Sequence, residues 1–245
     1  MAMSLYEMTP KIYDEYISTK IEKINFDEVF RNIKTNLKKN QQTKILDLCC
    51  GTGILPRKWL SKLKKIKYVG VDINKPFLDF ARKQMKNKPN FNFVYGNAAK
   101  IKLKDKFDII IATSSYHHIV DSQKKQFLNN IKQHLKENGT VIFYEKLVAP
   151  FKNKLEATNI GTKFYAERIN YMMKKEKLSE TQLFALYNEL YLTSVRKEEY
   201  KVPYQYLIKQ LKTVGLNIIK EKKLWPKNNI FHNSKVGDFV IVFKK

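Results

Sequence analysis

Two glycines directly after a short apolar run could shape a turn that holds a nucleotide-like ligand. The run covers residues 44–48 and contains Asp47, and Gly51 and Gly53 follow it just before a helical pattern begins. Glycine at such a turn permits positive φ and lets a ligand approach the backbone without a Cβ in the way. The amide groups at the start of the next helix point into the same space. The spacing therefore predicts a ligand site at this turn.

A second carboxylate suggests which ligand this is. Asp72 follows directly after the apolar run 68–71 and lies about 20 residues beyond Gly53 in the sequence,. At this sequence spacing, nucleotide-binding folds place a carboxylate that accepts both ribose hydroxyls of the bound nucleoside. Pro56 stands where a dinucleotide turn has its third glycine. Asp47 at the strand end would repel a pyrophosphate but attract an ammonium group. These residues favour S-adenosyl-L-methionine over NAD.

The elements that must position these residues follow from an alternation along the chain. Apolar, strand-length runs at 44–48, 68–71, 91–95, 107–112 and 140–144 are separated mostly by helical patterns. Fully apolar strands alternating with helices are typical of a parallel sheet that helices cover on both faces, and ligands of such sheets lie at the carboxyl ends of the strands.

Two more strands at 216–224 and 237–243 complete the predicted fold, an α/β, doubly wound, mostly parallel sheet of seven strands. We expect a single domain over 1–245. Its predicted parts are N-terminal helices in 1–40, a cofactor-binding core in 44–146, a helical lid insertion in 148–199, and a final helix with strands in 200–245. An insertion after the fifth strand would cover the carboxyl-end crevice, where a substrate lid belongs.

The motifs in the first half of the chain occur together in one known family. Asp47-x-x-x-Gly51-x-Gly53, Asp72, the Gly-Asn-Ala at 96–98 and the run 107–112 resemble the class I S-adenosylmethionine-dependent methyltransferase family over about 44–144. The resemblance implies a Rossmann-like fold, an enzyme, and S-adenosyl-L-methionine as cofactor. It implies as cofactor-binding residues Tyr13, Asp47, Cys49, Gly51, Thr52, Gly53, Asp72, Ile73, Asn74, Asn97, Ala98, Ala112 and Thr113. Cys49 and Asn97 depart from the Gly and Asp that the family usually has there.

Methyl transfer from a sulfonium is an in-line displacement, so the protein must align the acceptor and, where needed, take its proton. His117 and His118 follow the fourth strand, and either could act as a general base near neutral pH; we take His117 as the candidate,. Glu145 at the end of the fifth strand would orient the acceptor. The alternatives are that the histidine only packs or caps a helix, and that Glu145 pairs with a lysine.

Aromatic and basic residues of the lid region are candidates for acceptor binding. Tyr165, Arg168 and Tyr171 share one helical face,, and with Tyr116 they would form a substrate wall in which Arg168 receives an anionic acceptor. The alternative is an aromatic stripe that packs on the sheet. No metal site is expected, because the two cysteines are adjacent and no spaced set of ligands is evident,.

The overall layout also resembles the carboxy-S-adenosylmethionine synthase family, although more loosely. In that family the insertion carries an Arg that holds a carboxylate, and an ungapped alignment places Phe184 there. An aromatic ring cannot replace a guanidinium. The resemblance therefore covers the architecture but not the reaction of that synthase. Methyl transfer to a small-molecule acceptor is the preferred function.

The net charge of +24 leaves a tRNA-related enzyme as the alternative. Only five of the 47 basic residues are Arg, however, and the lysines are dispersed along the chain, whereas a phosphate-binding track favours clustered Arg. Nucleic acid is thus a possible but not favoured partner. The sequence leaves the oligomeric state open, a homodimer included. No run is long enough for a membrane span and residues 1–6 do not resemble a signal peptide, so we expect a cytoplasmic protein,.

Overall fold

A seven-stranded sheet forms the centre of the computed structural model, which describes residues 7–228 and 230–245. The segment 1–6, on which the absence of a signal peptide was judged, lies outside the described residues. The strands are β1 Thr43–Leu48, β2 Ile66–Asp72, β3 Phe91–Tyr95, β4 Phe107–Thr113, β5 Leu135–Leu147, β6 Asn217–Trp225 and β7 Gly237–Lys244. Their order in the sheet is β3-β2-β1-β4-β5-β7-β6.

The first five strands run parallel, and β7 is antiparallel to both β5 and β6. The predicted doubly wound, mostly parallel sheet of seven strands is confirmed. Every residue of β4 is buried, as expected of a central strand that is covered on both faces.

Seven α-helices surround the sheet in the described residues. They are α1 Pro10–Ile17, α2 Lys20–Thr35, α3 Lys75–Gln84, α4 Lys124–His134, α5 Lys154–Lys175, α6 Glu180–Ser194 and α7 Tyr204–Thr213. The helical pattern that follows the β1 turn forms only a π-helical turn, Pro56–Leu60, in which the Ser61 amide bonds to the Pro56 carbonyl at 2.8 Å.

Alternating side chains of the strands build one core on each face of the sheet. Ile45 and Ile109 face a core that includes α1, α2, α3, α5 and α6. Leu46 and Ile110 face the opposite core, which includes α4 and α7. The two predicted lid helices, α5 and α6, therefore contribute to one core of the domain. Within the described residues, no helix has the length and apolarity needed to cross a membrane.

Candidate active site

A cavity of about 290 Å³ opens at the carboxyl ends of β1, β2 and β4. It is lined by Tyr13, Cys49, Gly51, Asp72, Ile73, Asn74, Phe77, Asn97, Ala98, Thr113, Ser114, His118, Ile119, Val120, Gln123, Glu198 and Tyr200. Among these lining residues there is no Lys or Arg, although the chain carries 47 basic residues. The cavity therefore suits a cationic or neutral ligand better than a pyrophosphate.

The turn after β1 has the conformation that its glycines permit. Cys49, Gly51 and Gly53 have φ of 63°, 57° and 68°, in the left-handed region where glycine is favoured. A Cβ on Gly53 would lie 3.0 Å from the Cβ of Ala81, so this glycine permits the close approach of α3. Tyr13 covers the turn, because its ring lies 3.5 Å from the position of a Cβ on Gly51.

Asp72 is held in place by backbone amides. Its two carboxylate oxygens accept hydrogen bonds from the amides of Gly51 and Asn74, at 2.7 Å and 2.8 Å. Burial raises its pKa above the ordinary value, although these amides oppose the shift. A carboxylate has about four acceptor positions, so Asp72 keeps capacity for two ribose hydroxyls. With Asn74 and Asn97 nearby and Tyr13, Ile73 and Phe77 as apolar walls, the residues present fit the adenosine part of S-adenosyl-L-methionine.

Four of the predicted cofactor residues do not line this cavity: Asp47, Thr52, Gly53 and Ala112. Asp47 is buried and accepts a 2.7 Å hydrogen bond from the Tyr68 hydroxyl, while its Oδ1 has no hydrogen-bond partner. Burial, with a contribution from Asp72, raises the pKa of Asp47 to about 7. The Thr52 hydroxyl bonds to Asp14 at 2.7 Å instead. A contact between Asp47 and the cofactor's amino group stays a prediction.

The two candidate catalytic residues, His117 and Glu145, are in contact with each other. His117 Nδ1 makes a short hydrogen bond with Glu145 Oε1, and both side chains are almost completely buried. His118 rather than His117 lines the cavity, with 30% of its side chain exposed. Burial raises the pKa of Glu145 to about 7 and lowers that of His118 to about 4. Of the histidine pair, His118 is the one in a position to contact an acceptor.

Residues 198–200 form an unpredicted part of the cavity wall. Glu198 and Tyr200 follow α6, and the Tyr200 amide bonds to the His117 carbonyl at 2.6 Å. His118 Nδ1 lies 2.8 Å from the Glu198 carbonyl oxygen. No motif in the sequence marks this segment. In contrast, Ser114, Ile119, Val120 and Gln123 follow β4, so the end of that strand could have indicated them.

The predicted substrate wall must be corrected, because none of its four residues lines the cavity. Arg168 is fully buried, and its two terminal nitrogens bind Asp238 at 2.6 Å and Glu22 at 2.8 Å. Tyr165 is buried with its hydroxyl 3.3 Å from Glu189. An arginine whose nitrogens are engaged in this way cannot receive an anionic acceptor.

Of the other two aromatic residues of that wall, Tyr116 is buried and Tyr171 is half-buried against the core. Tyr116 lies between Phe127 and Phe143, and Tyr171 contacts the ring of Trp225 edge-on. The alternative reading, an aromatic stripe that packs within the domain, describes them better. Phe184, at the position of the synthase arginine, is 43% exposed on α6 and also lies outside the cavity.

A second, open cavity of about 500 Å³ adjoins the first and shares Val120 and Tyr200 with it. Its other lining residues are Asp121, Phe151, Asn153, Lys154 and Arg196. Arg196 Nη2 binds Asp121 at 2.8 Å, and its guanidinium lies over the rings of Phe151 and Tyr200. The first cavity thus adjoins a space that carries positive charge.

Comparison with known proteins agrees with this geometry. Residues 45–139 match the family described as "Methyltransferase domain". The chain is 25% identical over 205 residues to a malonyl-[acyl-carrier protein] O-methyltransferase of Bacillus cereus, an alignment covering 76% of this chain and 74% of that protein.

Two solved structures are similar in fold. An S-adenosylmethionine-dependent methyltransferase from Clostridium acetobutylicum has a TM-score of 0.62 at 17% identity, with 96% of each chain covered. The [4+2]-cyclase SpnF has a TM-score of 0.61 at 12% identity, covering 89% of this chain and 80% of that one. None of these comparisons tests the resemblance to the carboxy-S-adenosylmethionine synthase family.

Proposed function

We propose that this chain, which is a class I S-adenosylmethionine-dependent methyltransferase, methylates an oxygen of a small acceptor that carries a carboxylate or another anionic group. The enzyme class follows from the matched methyltransferase domain and from the methyltransferase relatives. The observation that supports the acceptor is the pair of adjoining cavities, one without basic lining residues and one with Lys154 and Arg196.

The first cavity would hold the cofactor. Asp72 would accept the ribose hydroxyls, Asn97 would meet the adenine edge, and Tyr13 would cover the ligand above the Gly51 turn. S-adenosyl-L-methionine supplies an electrophilic methyl group at the acceptor end. His118, Glu198 and Tyr200 line the cavity and would align the acceptor oxygen for in-line attack.

The second cavity would hold the anionic part of the acceptor. A guanidinium has five N–H donors, and the ion pair with Asp121 uses Nη2 of Arg196. Arg196 can thus bind a carboxylate in addition to Asp121, and Lys154 adds a second positive charge. A malonyl-[acyl-carrier protein] O-methyltransferase among the relatives supports oxygen as the methylated atom and an acyl compound as the acceptor.

Transfer of a labelled methyl group tests this proposal. We expect incorporation from labelled S-adenosyl-L-methionine into carboxylate-bearing acyl compounds, including acyl thioesters, and no incorporation into purified tRNA. The Arg196→Gln variant should raise KM for the acceptor, by about tenfold for one lost charge-assisted bond, with little change in kcat. The control is Lys163→Gln, an exposed lysine of α5 outside both cavities. Transfer to tRNA instead would favour the tRNA-related alternative.

A further inference from the structure

A cluster of two histidines and one glutamate lies at the acceptor end of the cofactor cavity. One potential ligand atom from each of His117, His118 and Glu199 lies within 4.8 Å of the others. His118 also lines the cavity, and Glu199 stands between the lining residues Glu198 and Tyr200. We propose that these three side chains bind a first-row divalent metal ion that faces the acceptor.

The distances within the cluster match a metal site that needs little rearrangement. His118 Nδ1 lies 3.4 Å from Glu199 Oε1, and His117 Nε2 lies 3.9 Å from Glu199 Oε2. Ligand atoms about 2.1 Å from a tetrahedral zinc ion are about 3.4 Å apart. Because the three ligand atoms lie within 4.8 Å of one another, side-chain movements of about 1 Å would bring them onto one ion.

A buried oxygen without a hydrogen-bond partner is a second observation that favours a cation site here. The Glu199 side chain is completely inaccessible, and its Oε1 has no hydrogen-bond partner. The other oxygen, Oε2, forms a short ion pair with Lys201 Nζ. Leaving a buried carboxylate oxygen unpaired is costly. Lys201 engages only Oε2, so Oε1 can bind a metal ion once the side-chain hydrogen bond between the buried Glu189 and Glu199 is given up.

The surroundings of His117 are those of a metal ligand. A ligating histidine usually bonds through its other ring nitrogen to a carboxylate or carbonyl, which fixes the ring and its tautomer. His117 bonds to Glu145 through Nδ1, so its Nε2 faces Glu199. The Glu198 carbonyl oxygen lies 2.8 Å from His118 Nδ1, so this nitrogen must give up that contact to bind the metal ion. Two imidazoles with one carboxylate suit Zn²⁺ and other transition metals better than Mg²⁺ or Ca²⁺.

The position of the ion would give it a role in the proposed reaction. Bound beside His118, it would act as a Lewis acid on the acceptor oxygen and hold it near the cofactor. An acceptor hydroxyl would lose its proton to water, its oxygen would bond to the methyl carbon, and the carbon–sulfur bond would break. This role depends on the proposed function, whereas metal binding itself does not.

Metal binding to the intact chain tests the site directly. After treatment with a chelator, the protein should bind one equivalent of Zn²⁺ in calorimetric titration. His118→Phe and Glu199→Gln should each weaken that binding by about 100-fold, and Glu145→Gln by about 10- to 100-fold, the usual effect of losing a group that orients a ligand. The control is His232→Ala, which removes an exposed histidine outside the cluster.

The outcomes separate this proposal from the proposed function. Circular dichroism and titration with S-adenosyl-L-homocysteine establish that each variant is folded and has an intact cofactor site. Failure of the wild-type chain to bind Zn²⁺, or equal binding by wild type, His118→Phe and Glu199→Gln, would overturn the metal site. Zinc binding together with undiminished methyl transfer by the metal-free protein would overturn the Lewis-acid role.

Discussion

Arg168 should be essential for stability and unimportant for acceptor binding, which reverses the role that its sequence position suggests. The Arg168→Met variant keeps the length and much of the volume of the side chain but removes the charge. Glu22 and Asp238 would lose a cation at 2.8 Å and 2.6 Å in a site without solvent exposure. Lys146 remains 3.3 Å from Glu22, and Asn25 still donates a 2.8 Å hydrogen bond to Asp238. Asp238 is therefore the carboxylate that loses most of its charge compensation.

Removing one partner of a buried ion pair costs about 3–5 kcal/mol, a large part of the 5–15 kcal/mol that is typical of folded domains. We expect a loss near the lower end of that range, because Lys146 and Asn25 remain. Urea unfolding followed by circular dichroism measures it. The Arg168→Met/Asp238→Asn double variant should recover part of the loss, since it no longer buries that charge. If Arg168→Met unfolds like the wild type but shows a raised acceptor KM, the buried network has been misread and the substrate-wall interpretation is correct.

Three further predictions concern the turn, the strand beneath it and a helix of the insertion. The raised pKa of Asp47, about 7 against about 3.9 in an unfolded chain, means that the folded state binds more protons between these values, so stability falls as pH rises through that window. The unfolding free energy of Asp47→Asn minus that of the wild type should therefore increase by on the order of 3 kcal/mol from pH 4 to pH 8. The same value of this difference at both pH values would contradict the prediction. Gly53→Ala should cost about 1–3 kcal/mol in thermal or urea unfolding, because its φ is 68° and the new Cβ would meet Ala81 at 3.0 Å,; a neutral result would refute the close approach. Ser179→Ala removes the capping box that starts α6 and should cost about 1 kcal/mol, with Ser194→Ala at the other end of the helix as the control.

The sequence is sufficient to predict the sheet and several residues that line the cavity at the ends of its strands. Buried strands have continuous apolar sequences, and a parallel sheet places the ends of β1, β2 and β4 side by side. Asp72 and Gly51 are therefore identifiable from their position after a strand. The sequence offers both His117 and His118 as a general base, but the pattern does not tell which of two adjacent histidines faces the cavity.

The acceptor end depends on contacts between segments that are distant in sequence. Glu198 and Tyr200 reach the cavity because residues 198–200 bond to the backbone and ring of the histidine pair, and no local pattern encodes this. Arg168 was misassigned because helical periodicity gives the face on which a residue lies but not what that face meets. Its partners come from α2 and β7, far away in the chain.

The central claim is that the cavity beyond β1, β2 and β4 binds S-adenosyl-L-methionine through Asp72. Calorimetric titration of the purified chain with S-adenosyl-L-homocysteine, the product of methyl transfer, tests it most directly. We predict one equivalent bound by the wild type and by Asp79→Asn, an exposed aspartate of α3 that pairs with Lys75 and Arg82. Asp72→Asn should bind on the order of 100-fold more weakly, since it loses charge-assisted hydrogen bonds to the ribose. No binding by a folded wild-type chain, or equal binding by Asp72→Asn and Asp79→Asn, would contradict the account.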